Sequence, residues 1–321
     1  MTATTVARGH FEWLNNIKYE YLIAGVSGGL TSTLILHPLD LIKIRFAVND
    51  GRMVSIPKYQ GIWNAFSTIL RQEGFHALYR GVTPNLWGSG SSWGLYFLFY
   101  NGIKAKLQGG DSSKALPPST HLLAACEAGV LTLFITNPIW VIKTRMCLQY
   151  GDNTEIKSQN RVRYNGMFDA LVKIYRVEGL AGYYKGIFPG VLGVSHGAVQ
   201  FMTYEELKNR YNQYKDLPIT TKLTTVEYLS FAAVSKLTAV ALTYPYQVVR
   251  ARLQNQHYTY TGSFDCMQQT WNYEGWRGFY KGLGTNLLRV TPATMITFLT
   301  YENVSHFLMK KSNVGAENNL R

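Results

Sequence analysis

Glu127, Lys236 and Arg289 are each the single charged residue of a long, otherwise uncharged stretch of this chain. An ionisable side chain inside such a stretch is costly to bury and is usually retained for a function. The planar guanidinium group of an arginine suits a carboxylate or a phosphate, because it can contact two oxygens at once. We therefore predict that Arg289 binds an anionic group of a ligand. Lys236 is either a second anion contact or a partner of Glu127, and both interpretations stay open.

The elements that must position these residues are six stretches long enough to cross a membrane. Three contain no Asp, Glu, Lys or Arg and three contain one each; they are residues 21–39, 82–103, 115–142, 187–204, 228–249 and 283–301. A helix of ~20 mostly apolar residues spans the hydrocarbon core of a bilayer. Glycine and serine recur in these stretches, which allows close helix packing and leaves polar faces. The pattern predicts a bundle of six transmembrane helices around a water-filled cavity.

A unit of about a hundred residues occurs three times. Each copy has a proline box (residues 38–45, 138–145 and 245–252). A Tyr-x-Gly turn follows, and then Glu-Gly, a tyrosine, a basic residue and a final glycine, with the same spacing in all three copies. A proline inside a helix removes a backbone hydrogen bond and bends the helix, so the odd-numbered long helices should bend at these boxes.

The composition excludes several other classes of protein. The chain has 321 residues and a net charge of +13, with 46% apolar and 14% aromatic residues, too many for a disordered chain. Three cysteines without a CxxC pair do not form a disulfide scaffold. Residues 1–18 lack the apolar core of a secretory signal, so targeting is expected to lie in the mature chain. No catalytic or metal-binding motif stands out, so we expect neither an enzyme nor a metal site. A basic nucleic-acid-binding protein would not explain the long uncharged stretches.

The three proline boxes and their glycine-rich tails are similar to those of the mitochondrial carrier family, over about residues 18–310. The resemblance implies an all-α membrane protein with six transmembrane helices in three pseudosymmetric repeats and short matrix helices. Residues 1–321 would be one carrier domain, with repeats at 18–110, 117–215 and 222–311. The resemblance also implies a monomer in the mitochondrial inner membrane, with both termini toward the intermembrane space. Its partners would be a small anionic substrate and cardiolipin; no cofactor is expected.

A matrix gate is implied by the resemblance where the three proline boxes meet. Its members would be Asp40, Lys43, Trp140, Lys143, Gln247 and Arg250. Of these, Asp40 and Lys143 can form an ion pair. Lys43 would donate a hydrogen bond to Gln247, and Arg250 would lie over the Trp140 ring as a cation–π contact.

A cytoplasmic gate is implied on the even-numbered long helices. Its members would be Asn101, Lys104, Glu205, Lys208, Glu302 and Ser305. In the pairing of the family, Glu302 with Lys104 is the one oppositely charged pair. Both gates are thus short of ion pairs, and we expect transport that does not require tight coupling to a counter-substrate. Apolar plugs that replace the missing ion pairs are the alternative.

The resemblance implies three substrate contact points on the even-numbered helices. They would be Gly88 beside Trp87, Gly193 with Val194, and Arg289. A glycine followed by an aliphatic residue lets a flat heterocycle lie against the backbone. His196 is within helical reach of Gly193 and could bind a ring edge, although a packed core histidine is the alternative.

Six glycines should precede helix N-termini, where free N–H groups favour anions. They are Gly61, Gly81, Gly166, Gly186, Gly262 and Gly282. The resemblance implies that these positions bind cardiolipin phosphates. Ordinary interfacial anchoring is the alternative.

Within the family, the Pro138-Ile139-Trp140 box together with Gly193, Val194 and Arg289 resembles the branch that carries pyrimidine nucleotides, NAD, FAD and folates. The similarity is greatest to carriers of folate and FAD. We therefore predict a carrier that moves FAD, folate or both between cytosol and matrix by alternating access. An NAD or pyrimidine-nucleotide carrier and a non-transporting membrane scaffold with the same fold are the alternatives.

Overall fold

The structure is a computed structural model and describes residues 19–52, 57–109, 116–150, 162–216, 218, 223–257 and 260–318. Every regular element in these residues is a helix. In chain order the α-helices are α1 (Tyr19–Val48), α2 (Ile62–Glu73), α3 (Val82–Leu107), α4 (Pro118–Cys147), α5 (Met167–Tyr183), α6 (Ile187–Tyr214), α7 (Thr225–Gln254), α8 (Ser263–Glu274) and α9 (Leu283–Asn318), and short 3-10 helices follow α2 (Phe75–Tyr79) and α8 (Gly275–Tyr280). The order long, short, long therefore occurs three times, and the predicted arrangement of six long and three short helices is confirmed.

Hydropathy alone would have found fewer membrane helices. Among the described residues, Ser119–Cys147 and Val226–Gln254 are long and apolar enough to cross a membrane by length and composition. The other long helices are more polar; α3, for example, carries a run of glycines and serines after its first turn. The number of spans is thus read from the threefold repeat and from the helix lengths.

The chain divides into two compact units. Of the described residues, 19–37 and 288–318 form the smaller one, in which the first part of α1 packs closely on α9. A Cβ atom added at Gly28 would lie 2.7 Å from the carbonyl oxygen of Thr297. Ser32 Oγ donates a hydrogen bond to the carbonyl oxygen of Ala293 at 3.1 Å. Small residues therefore set the helix spacing here, as is common in membrane proteins.

The described residues between 38 and 287 form the larger unit, in which ion triads join each proline box to the short helix of its own repeat. In the third repeat, Arg252 Nη1 lies 2.7 Å from Glu274 Oε1, and Lys281 Nζ lies 2.5 Å from Oε2. The equivalent triads are Arg45–Glu73–Arg80 and Arg145–Glu178–Lys185. The Arg252 and Glu274 side chains are only 0% and 7% exposed, so each charge depends on its partner.

The pKa of the Glu178 carboxyl group is lowered by its triad. Burial alone would raise the pKa of this carboxyl group, but hydrogen bonds from Arg145 and Lys185 outweigh burial and hold the pKa below its ordinary value. The charged form of Glu178 is therefore the form that the fold favours.

The arginine that each proline box contributes to its triad also contacts another repeat. The Nε atoms donate to carbonyl oxygens at 3.0–3.2 Å, in the pairs Arg45–Cys147, Arg145–Gln254 and Arg252–Ala47. These carbonyls lie at the C-terminal ends of α4, α7 and α1, where free C=O groups attract cations. The first repeat contacts the second, the second contacts the third, and the third contacts the first. The proline-box ends of the repeats are thereby joined in a closed cycle.

Candidate binding cavity

A cavity of about 410 Å³ lies in the larger unit between α3, α4, α6 and α7, and we call it the polar cavity. It is lined by Ser92, Gly129, Thr132, Leu133, Thr136, Trp140, Gly190, Gly193, Val194, His196, Thr243, Gln247 and Arg250. Residues three or four apart lie on one face of a helix. Thr132, Thr136 and Trp140 follow this spacing on α4, as do the polar residues from α7. Arg250 is the one formally charged residue among those that line this cavity.

Of the six proline-box residues predicted as a gate, Trp140, Gln247 and Arg250 line the polar cavity; we call all six the proline-box layer. Lys143 Nζ lies 2.5 Å from Asp40 Oδ2, and both side chains are about nine-tenths buried, at 11% and 10% exposure. Lys43 Nζ donates to Gln247 Oε1 at 3.0 Å. The predicted ion pair and hydrogen bond are therefore confirmed as contacts.

The predicted contact between Arg250 and Trp140 is wrong. The cation over the Trp140 ring is Lys143, whose Nζ lies 5.3 Å from the ring centroid. Lys143 follows Trp140 by three residues on the same helix, so it reaches the ring without any approach from α7. Arg250 Nη2 instead donates to Asn137 Oδ1 at 3.1 Å. A Cβ atom added at Gly190 would lie 3.4 Å from the guanidinium carbon of Arg250, so the glycine makes room for that group.

Three residues that line the polar cavity each have a buried polar atom without a hydrogen-bond partner among the described residues. These atoms are Arg250 Nε, Ser92 Oγ and Thr132 Oγ1. A buried polar group left unsatisfied costs about 1–3 kcal/mol, and more when it is charged. The three residues line one cavity, and a rotation of their side chains would let a ligand or water in it accept these hydrogen bonds. The arrangement suits an anion, because all three groups can donate.

Gly193, Val194 and His196 all line the polar cavity, as the sequence predicts for a substrate site. His196 Nδ1 is 2.9 Å from Thr243 Oγ1, so one nitrogen of the ring is engaged by α7. A Cβ atom added at Gly129 would lie 2.9 Å from Val194 Cγ1, which shows how closely α4 and α6 approach. These residues form a wall in which backbone and small side chains predominate.

Trp87, Gly88 and Lys236 are not among the residues that line the polar cavity. Trp87 is 64% exposed. Gly88 is buried, and a Cβ atom added there would lie 3.2 Å from Ile139 and 3.4 Å from the Trp140 ring, so this glycine has a packing role. Lys236 is half-buried on α7, and none of the ion pairs of the described residues joins it to the exposed Glu127.

The remaining predicted residues are divided between the two units. Arg289, Glu302 and Ser305 belong to the smaller unit, so their contacts with the polar cavity or with Lys104 stay predictions. In the larger unit Asn101 is exposed, and the residues Lys104, Glu205 and Lys208 are half-buried.

Each of the six predicted lipid-site glycines directly precedes a helix. At Gly81, Gly186 and Gly282 the backbone φ is 83°, 74° and 87°, a region that favours glycine. A Cβ atom added at these three positions would lie 2.9–3.1 Å from a backbone carbonyl of the neighbouring proline box. Backbone conformation and packing therefore require these glycines whatever binds beside them. The adjacent cations Arg80 and Lys281 are engaged by the glutamates of their triads.

The sequence pattern does not single out Ser92 or Thr132 as site residues, and it assigns Arg250 only to the matrix gate. Thr132 and Arg250 could have been found from helical spacing, because each falls on the same face as other polar residues of its helix. Ser92 carries no such signal, since it stands in a run of glycines and serines.

Comparison with known proteins identifies the repeat. The family model described as mitochondrial carrier protein matches residues 17–111, 114–215 and 221–312. Folate transporter 1, chloroplastic, of Arabidopsis thaliana is 42% identical over 301 residues, which cover 91% of this chain and 96% of that protein.

Two further relatives carry different names. Nicotinamide adenine dinucleotide transporter 1, chloroplastic, of Arabidopsis thaliana is 38% identical over 292 residues, covering 89% of this chain and 91% of that protein. The mitochondrial FAD carrier protein of Saccharomyces cerevisiae is 32% identical over 316 residues, covering 89% of this chain and 96% of that protein.

Proposed function

We propose that this chain, which belongs to the mitochondrial carrier family, moves folate, FAD or both across the mitochondrial inner membrane. Members of this family are transporters, and their three repeats form six transmembrane helices. The observation that carries the substrate proposal is Arg250, the one formally charged residue that lines the polar cavity, whose Nε has no hydrogen-bond partner among the described residues. The names of the folate and FAD relatives support the same substrates.

Folate and FAD share a chemical plan that suits this cavity. Each joins a flat heterocycle to an anionic group, a glutamate carboxylate in folate and a pyrophosphate in FAD. Arg250 supplies a fork-shaped cation that is matched to either anion. Gly193 and Val194 supply a flat, apolar wall beside it. Arg289 serves as a second anion contact in this proposal, and His196 binds the edge of the ring.

In transport by alternating access, the proline-box layer and the predicted cytoplasmic gate close opposite sides of the carrier. The proline-box layer closes the matrix side, with the contacts Asp40–Lys143 and Lys43–Gln247 as its bonds. Asn101, Lys104, Glu205, Lys208, Glu302 and Ser305 close the cytoplasmic side. Cardiolipin binds at the six helix-initiating glycines, and the protein acts as a monomer with both termini toward the intermembrane space. Protease access to epitope tags on intact mitoplasts tests that orientation.

The experiment that tests the substrate is uptake into liposomes that contain the purified protein. Labelled FAD, a reduced folate, NAD and a pyrimidine nucleotide are compared at equal concentrations. Saturable uptake of FAD or of the folate above that of protein-free liposomes is expected. Uptake of neither compound, with or without internal substrate, would overturn the proposal.

NAD is the second candidate substrate, because a relative of 38% identity is named as an NAD transporter. NAD also joins flat rings to a pyrophosphate, so the polar cavity does not separate it from FAD. The same uptake panel does: NAD uptake that exceeds both FAD and folate uptake would select the alternative.

A further inference from the structure

A second cavity of about 570 Å³ adjoins the polar cavity in the larger unit, and we call it the aromatic cavity. The two cavities share Gly129 and Val194 as wall residues. None of the residues that line the aromatic cavity is Asp, Glu, Lys or Arg, whereas Arg250 lines the polar one. The pair therefore consists of a cationic compartment and a formally uncharged one.

A column of aromatic rings forms one side of the aromatic cavity. The rings of Tyr96 and Tyr100 are stacked with centroids 6.1 Å apart and an interplanar angle of 10°. The ring of His121 stacks on Tyr100 at 6.4 Å, and His121 Nδ1 is 2.8 Å from the Tyr100 hydroxyl. These contacts fix the orientation of the Tyr96 and His121 rings, both of which line the cavity. Phe201 lines the same cavity and is 51% exposed.

The aromatic cavity also offers polar groups beside its rings. Tyr96 has no hydrogen bond to its hydroxyl among the described residues, and Nε2 of His121 is likewise available. Cys126, a half-buried thiol, lies on the same wall. Aromatic faces with a few polar groups at their edges are what binds a flat heterocycle, by stacking and by hydrogen bonds to the ring edge.

The two cavities together are elongated along α4. A helix rises about 1.5 Å per residue, so the wall from His121 to Gly129 runs for about 12 Å and that from Gly129 to Trp140 for about 16 Å. A substrate with a flat ring at one end and an anionic group further along could therefore occupy both compartments at once.

Resting on the proposed function, we propose that the aromatic cavity binds the flat heterocyclic ring of the transported molecule while its anionic group lies near Arg250. Tyr96, His121 and Phe201 stack on the ring or bind its edge, and they determine which ring is accepted. Small anions without a ring, such as pyrophosphate, have no affinity for this compartment.

Cys126 reports on occupancy of the aromatic cavity. The other two cysteines, Cys147 and Cys266, are 0% exposed, so N-ethylmaleimide should modify Cys126 in the full-length protein in liposomes. A Cys126→Ser variant identifies the labelled thiol. FAD or a reduced folate at saturating concentration should slow labelling about tenfold, and pyrophosphate should leave the rate unchanged. Equal protection by pyrophosphate, or no protection by a compound that is transported, would overturn the proposal.

A matched pair of substitutions on α6 tests the stacking. Phe201 and Phe188 are 51% and 59% exposed, but only Phe201 lines the aromatic cavity. Phe201→Ala should raise the KM for uptake of FAD or folate about fivefold or more, as expected for loss of a stacking ring. Tyr96→Leu should do the same, and Phe188→Ala should leave KM within twofold of the wild-type value.

The outcomes separate this proposal from the one on which it rests. If the wild-type protein transports none of the compounds, both the proposed function and the ring site in the aromatic cavity are refuted. Wild-type transport of FAD or folate with unchanged KM in Phe201→Ala and Tyr96→Leu removes the aromatic cavity as a ring site and leaves the proposed function standing.

Discussion

Replacing Arg250 with Gln removes the one formal charge among the residues that line the polar cavity, together with its unpartnered Nε–H. Glutamine is two atoms shorter than arginine, so the bond that Arg250 Nη2 donates to Asn137 Oδ1 at 3.1 Å is weakened as well. The folded state of the variant is therefore checked separately. A hydrogen bond to a charged group contributes about 1.5–3 kcal/mol. Losing it should therefore lower kcat/KM for uptake of an anionic substrate by about 10- to 150-fold.

The assay is initial-rate uptake of FAD and a reduced folate into liposomes that contain equal amounts of each variant. Arg250→Lys keeps the charge but not the fork, so its rate should fall between those of wild type and Arg250→Gln. Thermal unfolding in detergent, unchanged within a few degrees, shows that the Gln variant is folded. Uptake by folded Arg250→Gln within twofold of wild type would refute the assignment of the anion contact.

Other predictions concern stability and coupling. Glu274→Gln leaves two cationic partners without their shared carboxylate, and the free energy of unfolding should fall by about 3–5 kcal/mol, measured by thermal or denaturant unfolding. Gly186→Ala places a Cβ atom 3.0 Å from a backbone carbonyl at a φ of 74°, so the yield of folded protein should drop sharply. Because the folded-state pKa of Glu178 lies below its ordinary value of 4.5, its charge stabilises the fold above that pH. That stability is lost as pH falls through the lowered pKa, and Glu178→Gln should show a shallower acid dependence of the unfolding temperature. Because both predicted gates have few ion pairs, uptake into liposomes should occur without substrate inside them. Uptake that strictly requires internal substrate would contradict this prediction.

The contacts that follow from the repeat were predictable from the sequence. Asp40–Lys143 and Lys43–Gln247 were predicted because the resemblance to the family implies that acidic and basic residues of neighbouring proline boxes pair. The contact of Arg250 was predicted wrongly because side-chain packing, which residue spacing does not encode, determines it. Arg250 donates to Asn137, and Lys143 lies over the Trp140 ring in its place.

The unpartnered hydroxyls were not predictable for a different reason. A threonine in a helix ordinarily donates to the carbonyl four residues earlier, as Thr136 does to Thr132 at 2.9 Å. Thr132 Oγ1 makes no such bond among the described residues, although both threonines occur in the same helical sequence pattern. The stacking of Tyr96 on Tyr100 likewise depends on the rotamers of the two tyrosine side chains, which the sequence does not specify.

The most direct measurement is ligand-dependent thermal stabilisation of the purified wild-type and Arg250→Gln proteins. A ligand that binds the folded state at 100 times its Kd stabilises it by about 2.7 kcal/mol. We predict that FAD or a reduced folate raises the unfolding temperature of the wild type in a saturable manner, and that Arg250→Gln requires at least tenfold more ligand for the same shift. Equal stabilisation of both proteins, or stabilisation by neither compound, would contradict binding of an anionic folate or FAD at Arg250.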